Sequence, residues 1–145
     1  MKQIAPMEVG LPVIDLARML EFYREVLLCT EVQRADIPAA LSRAIRTGSA
    51  GYVNVWLRTP NGEVIKLDSP SNPPKKRASS GFSADWTGYA DLTFYCRDLD
   101  AVIAKALQSG GVLRSEPSAS EGLGLKLAFF EDPEGNVIEL VEPRA

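Results

Sequence analysis

The sequence predicts an α+β fold made of two tandem βαβββ modules, and an internal repeat is the main reason for this prediction. The segment at residues 56–70, WLRTPNGEVIKLDSP, is echoed at residues 129–143 by FFEDPEGNVIELVEP. Five of eight positions agree between Pro60–Leu67 and Pro133–Leu140. Each copy has the pattern of a strand, a turn with Pro and Gly, and a second strand, so each module should end in a β-hairpin.

A second repeat lies at the start of each module. Residues 8–16, EVGLPVIDL, align with residues 91–99, DLTFYCRDL. In both copies an acidic residue stands seven positions before an Asp-Leu pair. Each run is typical of a strand, and Asp15 and Asp98 are placed to N-cap the helix that follows.

The length fits one ordinary domain with a proper core. The chain has 145 residues, of which 46% are hydrophobic and 24% charged, as in a globular protein. We predict a single domain over residues 1–145, with a first module at 1–70, a Pro/Ser/Lys-rich linker at 71–85 and a second module at 86–145.

The first helix should run from Leu16 to about Leu28. Its apolar residues recur at the spacing of one helix face: Leu16, Met19, Leu20, Tyr23, Val26 and Leu27. We expect the other strands of this module at about 29–34, 51–59 and 63–68.

The second module should repeat this order. Its helix is expected from Leu99 to about Ser109, ending at Gly110-Gly111, with an apolar face made of Val102, Ile103, Ala106 and Leu107. Strands are expected at about 111–115, 123–131 and 136–142.

The first module carries ten extra residues between its helix and its hairpin. The repeat offset is 83 residues at the first strands and 73 at the hairpins, which places the insertion near residues 35–49. We predict a short helix there, capped by Asp36, with Ile37, Leu41, Ala44 and Ile45 on one apolar face. Two interpretations stay open, a lid over a pocket and a packed surface helix.

Composition excludes several classes of function. The net charge of −3 gives no basic face for nucleic acid. No apolar run reaches the roughly 18 residues of a membrane span, and no signal peptide is evident, so we expect no membrane partner. Two cysteines suit a reducing compartment, and we therefore expect a cytoplasmic protein. The absence of histidine removes Ser-His and Cys-His nucleophile pairs.

Strand alternation separates an apolar face from a polar face. The apolar set that should meet the helices is Val53, Val55, Leu57, Ile65 and Leu67. The opposite set in the first module is Tyr52, Asn54, Trp56, Arg58, Val64, Lys66 and Asp68, with Glu8, Gly10 and Pro12 on the opening strand. In the second module it is Asp91, Thr93, Tyr95, Val137, Glu139 and Val141.

Four charged residues occupy repeat-related positions on these polar faces: Glu8, Lys66, Asp91 and Glu139. If the two sheets face each other, a pseudo-twofold axis brings all four into one cluster. The alternative is four independent charges in solvent, which is how charged strand residues usually sit. We predict the shared cluster, because both pairs recur inside otherwise apolar strands.

The repeats resemble the vicinal oxygen chelate superfamily, also called the glyoxalase/bleomycin resistance/dioxygenase family. VIDLARMLEFYREVLL at residues 13–28 resembles its first strand-to-helix passage, and EDPEGNVIELVEP at residues 131–143 resembles its closing signature. The resemblance covers nearly the whole chain. It implies a glyoxalase-like fold, in which two βαβββ modules form a curved mixed sheet around a pocket, and a homodimer.

The resemblance also implies where a metal would be held. Family enzymes bind a divalent metal through His or Glu on the first and fourth strands of each module, which here are Glu8, Lys66, Asp91 and Glu139. Only Glu139 keeps the usual residue type. A protonated Lys66 places a cation where the metal would lie, so we predict no metal site and no cofactor. Three carboxylates suit a hard cation such as Mg²⁺ or Mn²⁺, which is the alternative.

Two functions follow from this pattern. The first is a metal-independent acid–base enzyme, an isomerase, epimerase, lyase or hydrolase acting on a small oxygenated or carbonyl substrate. In it, Lys66 stabilises an oxyanion, and Glu8, Asp91 or Glu139 transfers a proton. At least one carboxyl pKa should rise in such a cluster. The expected substrate-binding residues are Tyr52, Asn54, Trp56, Arg58, Thr93, Tyr95 and Phe129.

The second is a non-catalytic protein that sequesters a drug or antibiotic, as the bleomycin-resistance branch of the family does. Trp56, Tyr52, Tyr95 and Phe129 would line its pocket, and the acidic residues would suit a cationic ligand.

Overall fold

Each half of the chain forms one mixed β-sheet with one principal helix, which confirms the predicted α+β class and the two βαβββ-type modules. The computed structural model describes residues 3–75, 85 and 87–144. The chain divides into two units, Met1–Lys75 and Lys76–Ala145. Most of the predicted linker at 71–85 lies outside the described residues.

The first unit contains a four-stranded sheet in the order β1-β4-β3-β2. Its elements are β1 (Glu8–Pro12), α1 (Leu16–Leu27), β2 (Thr30–Ile37), α2 (Ala39–Ala44), β3 (Tyr52–Arg58) and β4 (Val64–Pro70). Strand β1 runs parallel to β4, while β2, β3 and β4 are joined as antiparallel neighbours. The helical crossover from β1 therefore returns the chain to the far edge of the sheet.

The second unit repeats this order with one added strand. Its elements are β5 (Leu92–Tyr95), α3 (Leu99–Gln108), β6 (Val112–Leu113), β7 (Ser118–Ser120), β8 (Leu125–Glu131) and β9 (Val137–Pro143). The sheet order is β5-β9-β8-β6, with β7 also pairing with β8, and β5 runs parallel to β9.

The prediction of a strand at 111–115 is wrong in length. Two short strands pair with β8 instead, β6 at Val112–Leu113 and β7 at Ser118–Ser120. The backbone amides of Arg114 and Ser115 both donate to the carbonyl of Phe129, and the Ser115 hydroxyl accepts from the Phe129 amide. This local crowding ends regular pairing after Leu113.

The predicted helix caps are confirmed. The Asp15 carboxylate accepts a hydrogen bond from the Arg18 amide at 3.0 Å, and the Asp98 carboxylate accepts one from the Ala101 amide at 3.0 Å. Each carboxylate satisfies one of the amide groups that a helix N-terminus leaves without a partner.

The core of the first unit follows the predicted alternation. Val55, Leu57, Ile65 and Leu67 are buried, while Val53 is only partly buried. The buried residues of α1 are Met19, Leu20, Phe22, Tyr23, Val26 and Leu27, so the predicted stripe also includes Phe22. Phe22 and Tyr23 meet edge to face with ring centroids 5.8 Å apart.

The second unit corrects two expectations about its core. Leu107 was expected on the buried face of α3 but is 45% exposed, whereas Val141 was expected on the polar face and is buried. The residues that do form this core are Leu99, Ile103, Ala106, Ala128, Phe130, Ile138 and Leu140. The buried face of α3 is therefore narrower than the row of apolar residues that its sequence predicted.

The insertion forms a helix, α2, but its predicted start and its predicted face are wrong. Asp36 lies in β2, which extends to Ile37, and Pro38 is the N-cap. Leu41 and Ile45 are about half exposed, and Ser42 is the buried residue. The Ser42 hydroxyl donates to the carbonyl of Gly48 at 3.1 Å, so a polar anchor rather than apolar packing fixes this helix.

The two hairpin turns use the same backbone bonds. In the first unit the Thr59 amide donates to the carbonyl of Glu63, and in the second the Asp132 amide donates to the carbonyl of Asn136. The side chains differ, because the Asp132 carboxylate accepts from the amides of Glu134 and Asn136 and from the Asn136 side chain.

Among residues 3–75, 85 and 87–144, no helix is both long enough and apolar enough to cross a membrane.

Candidate functional site

Three polar residues of the first unit lie together on the sheet face opposite the buried one. In the strand register Gly10 is opposite Lys66, and Lys66 is opposite Trp56. The Trp56 indole Nε1 donates to Glu8 Oε2 at 3.1 Å, and Lys66 Nζ lies 6.0 Å from the Trp56 ring centroid. The indole therefore contacts the carboxylate and lies at the outer limit of a cation–π contact with the ammonium.

The second unit places three residues in a matching row. Thr93 is opposite Glu139 on β9, and Glu139 is opposite Phe129 on β8. The Thr93 hydroxyl donates to Glu139 Oε2 at 2.6 Å. A hydrogen bond of this kind to a carboxylate fixes the rotamer of the acid.

The two rows occupy equivalent positions in their sheets. The repeat offsets relate Gly10 to Thr93, Lys66 to Glu139 and Trp56 to Phe129, and the observed registers pair them in the same order. The sequence mismatch between Lys66 and Glu139 is therefore a substitution of charge at one structural position, an ammonium in one sheet and a carboxylate in the other.

The remaining predicted site residues differ in their exposure to solvent. Asp91 is exposed and immediately precedes β5, Tyr95 is 70% exposed, and Arg58 is exposed at the end of β3. The Tyr52 hydroxyl accepts a hydrogen bond from Thr47 Oγ1 at 3.3 Å.

The four charged residues divide between the units, with Glu8 and Lys66 in the first and Asp91 and Glu139 in the second. Within the first unit, Trp56 lies against both Glu8 and Lys66. The assembly of all four charges into one cluster stays a prediction.

A facing pair on the same side of the sheet includes one residue, Asp68, that was not predicted as part of the site. Asn54 and Asp68 are directly opposite each other on β3 and β4, and the Oδ1 atom of each is buried without a hydrogen-bond partner. Asn54 is only 5% exposed. The sequence assigned Asn54 to substrate contact and placed Asp68 on this face without a role. A carboxylate on the polar face of an otherwise largely apolar strand was the signal for it.

The environment of Asp68 favours its neutral form. Burial raises the pKa of the Asp68 carboxyl, and the nearby charge of Lys66 partly opposes this rise. The raised carboxyl pKa on this face thus belongs to Asp68, a residue outside the predicted cluster, and its cause is burial rather than crowding of carboxylates.

The residues at the family's metal-binding positions do not fit a transition metal. Lys66 contributes an ammonium instead of a ligand atom, and one oxygen of Glu8 and one of Glu139 already accept hydrogen bonds from Trp56 and Thr93. In the described part of the chain, no three His, Cys, Asp or Glu side chains are grouped closely enough to hold a metal ion.

A comparison with protein families identifies the family to which the chain belongs. The model of the Glyoxalase/Bleomycin resistance protein/Dioxygenase superfamily matches residues 4–140. The chain belongs to this superfamily.

Relatives within the superfamily are distant. The chain is 26% identical over 129 residues to lactoylglutathione lyase from Arabidopsis thaliana, and the match covers 88% of this chain but only 40% of that protein. The chain thus spans about two fifths of the length of this curated relative.

Solved structures show the shared fold. A glyoxalase family protein from Bacillus cereus superposes with a TM-score of 0.82 at 23% identity, covering 99% of this chain and 97% of that one. The fosfomycin resistance protein FosX from Listeria monocytogenes superposes with a TM-score of 0.66 at 11% identity, covering 97% and 94%. The fold of this superfamily member is therefore glyoxalase-like, while its chemistry rests on its own residues.

Proposed function

We propose that this superfamily member is a metal-independent acid–base enzyme, an isomerase, epimerase, lyase or hydrolase, that acts on a small oxygenated or carbonyl compound. The observation that carries the proposal is the position of Lys66. It stands where the equivalent residue of the other sheet is Glu139, and among the described residues it forms no ion pair with a carboxylate.

Lys66 would stabilise negative charge on a carbonyl oxygen. An ammonium close to that oxygen lowers the free energy of an enolate that forms beside it, and this effect is large where water is excluded. The Trp56 ring would hold the lysine side chain in place while Nζ donates to the oxygen.

A carboxylate would move the proton. The base takes the proton from the carbon next to the carbonyl, the electron pair passes to the oxygen held by Lys66, and return of the proton to another atom completes an isomerisation. Glu139 is the first candidate because Thr93 holds one of its oxygens, and Glu8 is held in a similar way by Trp56. Asp91 is the third candidate.

Hydrogen–deuterium exchange tests the proposal without knowledge of the natural substrate. Small α-hydroxy aldehydes and ketones, such as dihydroxyacetone, are incubated with the enzyme in D₂O, and loss of the α-proton signal is followed by NMR. We expect exchange above the buffer rate, and a loss of about a hundredfold or more in Lys66→Met and in Glu139→Gln.

Lys126→Met is the matched control. Lys126 pairs with Asp100 and lies on the face of the second sheet opposite to that of Glu139. Its exchange rate should match that of the unchanged protein. Stoichiometric metal in protein purified without chelators, together with loss of exchange on its removal, would overturn the proposal. Unchanged exchange in Lys66→Met would do the same.

A binding role without turnover is the second candidate. It is supported by the indole of Trp56 on the polar face and by the likeness of the fold to a fosfomycin resistance protein. Under this function, Trp56→Ala should weaken binding of a planar ligand more than Lys66→Met does, and no exchange should occur in any variant.

The homodimer is a separate proposal that rests on the family resemblance. Light scattering tests it directly, because the chain mass is 15.8 kDa and a dimer has twice that mass.

A further inference from the structure

The first unit contains a cavity that includes none of the four charged residues of the proposed chemistry and shares only Tyr52 with the predicted substrate-binding residues. Its volume is about 300 Å³, and it is lined by residues 47–50, by Tyr52, Asp68 and Asn72, and by three prolines. Among these lining residues Asp68 is the one that carries a charge. The site thus combines a mostly apolar wall with a single carboxylate, which is the usual composition of a small-molecule pocket.

The wall of the cavity is held by the insertion. The Ser42 hydroxyl of α2 donates to the carbonyl of Gly48, and the Arg43 guanidinium donates to the carbonyl of Ser49 at 3.2 Å. The Asn72 side chain also donates to Ser49 Oγ at 3.2 Å. Because three polar contacts hold residues 47–50, the cavity is formed before any ligand arrives.

Two acceptor atoms beside the cavity lack a donor. Asp68 lines it, and Asn54 lies directly across the strand pair, with the Oδ1 atom of each residue buried and without a hydrogen bond. Buried polar atoms in native proteins are nearly always hydrogen-bonded, so this pair is an unsatisfied polar spot next to the cavity.

Lys66, whose charge influences Asp68, does not supply a donor to this carboxylate. Lys66 is close enough to influence Asp68, but its Nζ atom lies beside the Trp56 ring and forms no ion pair with the carboxylate. Space over β1 is also kept open, because a Cβ atom at Gly10 would lie only 3.2 Å from Asp68 Oδ2.

We propose that this cavity binds a small organic amine, whose ammonium group donates to the Asp68 carboxylate and whose apolar body packs against the prolines and Tyr52. The single carboxylate among the lining residues selects a cation. Raised by burial, the carboxyl pKa of Asp68 falls again once a cation pairs with it, so binding and ionisation support each other. This inference goes beyond the proposed enzyme activity and does not require turnover.

A titration with three probes of equal size tests the charge preference. Benzylamine, benzyl alcohol and benzoate are added separately to ¹⁵N-labelled protein, and amide shifts are followed by NMR. We expect benzylamine to produce saturable shifts centred on residues 47–50 and Tyr52, benzyl alcohol to bind at least tenfold more weakly, and benzoate to leave these amides unchanged (about 1.4 kcal/mol per tenfold).

Three variants separate the site from general charge effects. Asp68→Asn should weaken benzylamine binding about tenfold or more. Ala50→Leu should block the cavity while it keeps the carboxylate. Asp36→Asn removes an exposed carboxylate of β2 and should leave the affinity unchanged.

Four outcomes would overturn the inference: equal binding by Asp68→Asn, preferred binding of benzoate, shifts confined to residues outside the cavity, and no saturable benzylamine binding. A carboxyl ¹³C titration that shows Asp68 still protonated in saturating benzylamine at neutral pH would also overturn it, because a neutral acid pairs with no ammonium. Unchanged amide spectra elsewhere in each variant verify that the fold is retained.

Discussion

The Thr93 hydroxyl donates to the Glu139 carboxylate at 2.6 Å, and the first unit has no such bond at the equivalent place. There, Gly10 stands in the position of Thr93 and Lys66 in that of Glu139. One sheet thus fixes an acid with a hydroxyl group, while the other leaves room around an ammonium. The two sheets keep the same strand arrangement, but the side chains at equivalent positions carry opposite charges, an ammonium at Lys66 and a carboxylate at Glu139.

The bond between Thr93 and Glu139 should be measurable as a coupling free energy. In a double-mutant cycle, Thr93→Val and Glu139→Gln are made singly and together, and urea unfolding gives the stability of each protein. We expect a coupling of about 0.5–1 kcal/mol, since both side chains are accessible to water.

The equivalent cycle in the first unit uses Trp56→Phe and Glu8→Gln, and it should give a coupling of similar size, about 0.5 kcal/mol. A value near zero in both cycles would contradict the idea that these donors hold the carboxylates in place.

The two hairpin turns should differ in their sensitivity to mutation. Asp132 is 1% exposed and accepts three hydrogen bonds, so Asp132→Ala leaves buried donors without partners and should cost about 3 kcal/mol in the free energy of unfolding. Thr59→Ala is the matched change, because the Thr59 hydroxyl makes one bond, to the Glu63 carboxylate, and should cost about 1 kcal/mol. Equal costs in denaturant unfolding would refute this difference.

Cys29 should be a protected thiol. It is 2% exposed, and burial raises the pKa of its thiol to about 11. At pH 8 only about one molecule in a thousand then carries the thiolate. In Cys96→Ala, we expect Ellman's reagent to label Cys29 about a hundredfold more slowly in the folded protein than in urea.

In Cys29→Ala, the remaining Cys96 is less buried and should be labelled faster than Cys29, although burial also raises the pKa of its thiol. Faster labelling of Cys29 than of Cys96 in the folded state would show that the assigned burial is wrong.

Asp68 should make stability depend on pH in a defined direction. Its carboxyl pKa is raised in the folded state, so its favourable contribution is complete below about pH 4 and is lost as the pH rises through the folded pKa. The stability of Asp68→Asn relative to the unchanged protein should therefore increase above about pH 4 and then level off.

Urea unfolding at several pH values gives this difference. In a Lys66→Met background the difference should still begin at about pH 4 but become larger and level off at a higher pH, because the charge that lowers the Asp68 pKa in the folded protein has been removed. A difference that is constant with pH would contradict the assigned environment of Asp68.

Periodicity and repeats were sufficient to predict most of the fold. The positions of α1, α3 and both hairpins followed from apolar spacing, Asp caps and Pro/Gly turns, which act locally. The predictions that failed depend on contacts made outside the element itself. Leu41 and Ile45 have helical spacing but face outward, because the buried hydroxyl of Ser42 and its bond to Gly48 set the orientation of α2.

Strand alternation grouped several polar side chains correctly, although it misplaced Val141. It placed Lys66 and Trp56 on one face and Thr93 with Glu139 on another. It gave no role to Asp68, because the cavity depends on the path of residues 47–50 and on proline positions that alternation does not specify. A lone carboxylate on a strand becomes informative only when its neighbours across the ladder are known.

Gly10 has a consequence for the history of this sequence. A Cβ atom there would lie 3.2 Å from Asp68 Oδ2, which is tighter than an ordinary contact, whereas its distance of 3.7 Å from Lys66 Cε would be ordinary. Across natural variants of this protein, loss of the glycine should therefore coincide with replacement of Asp68.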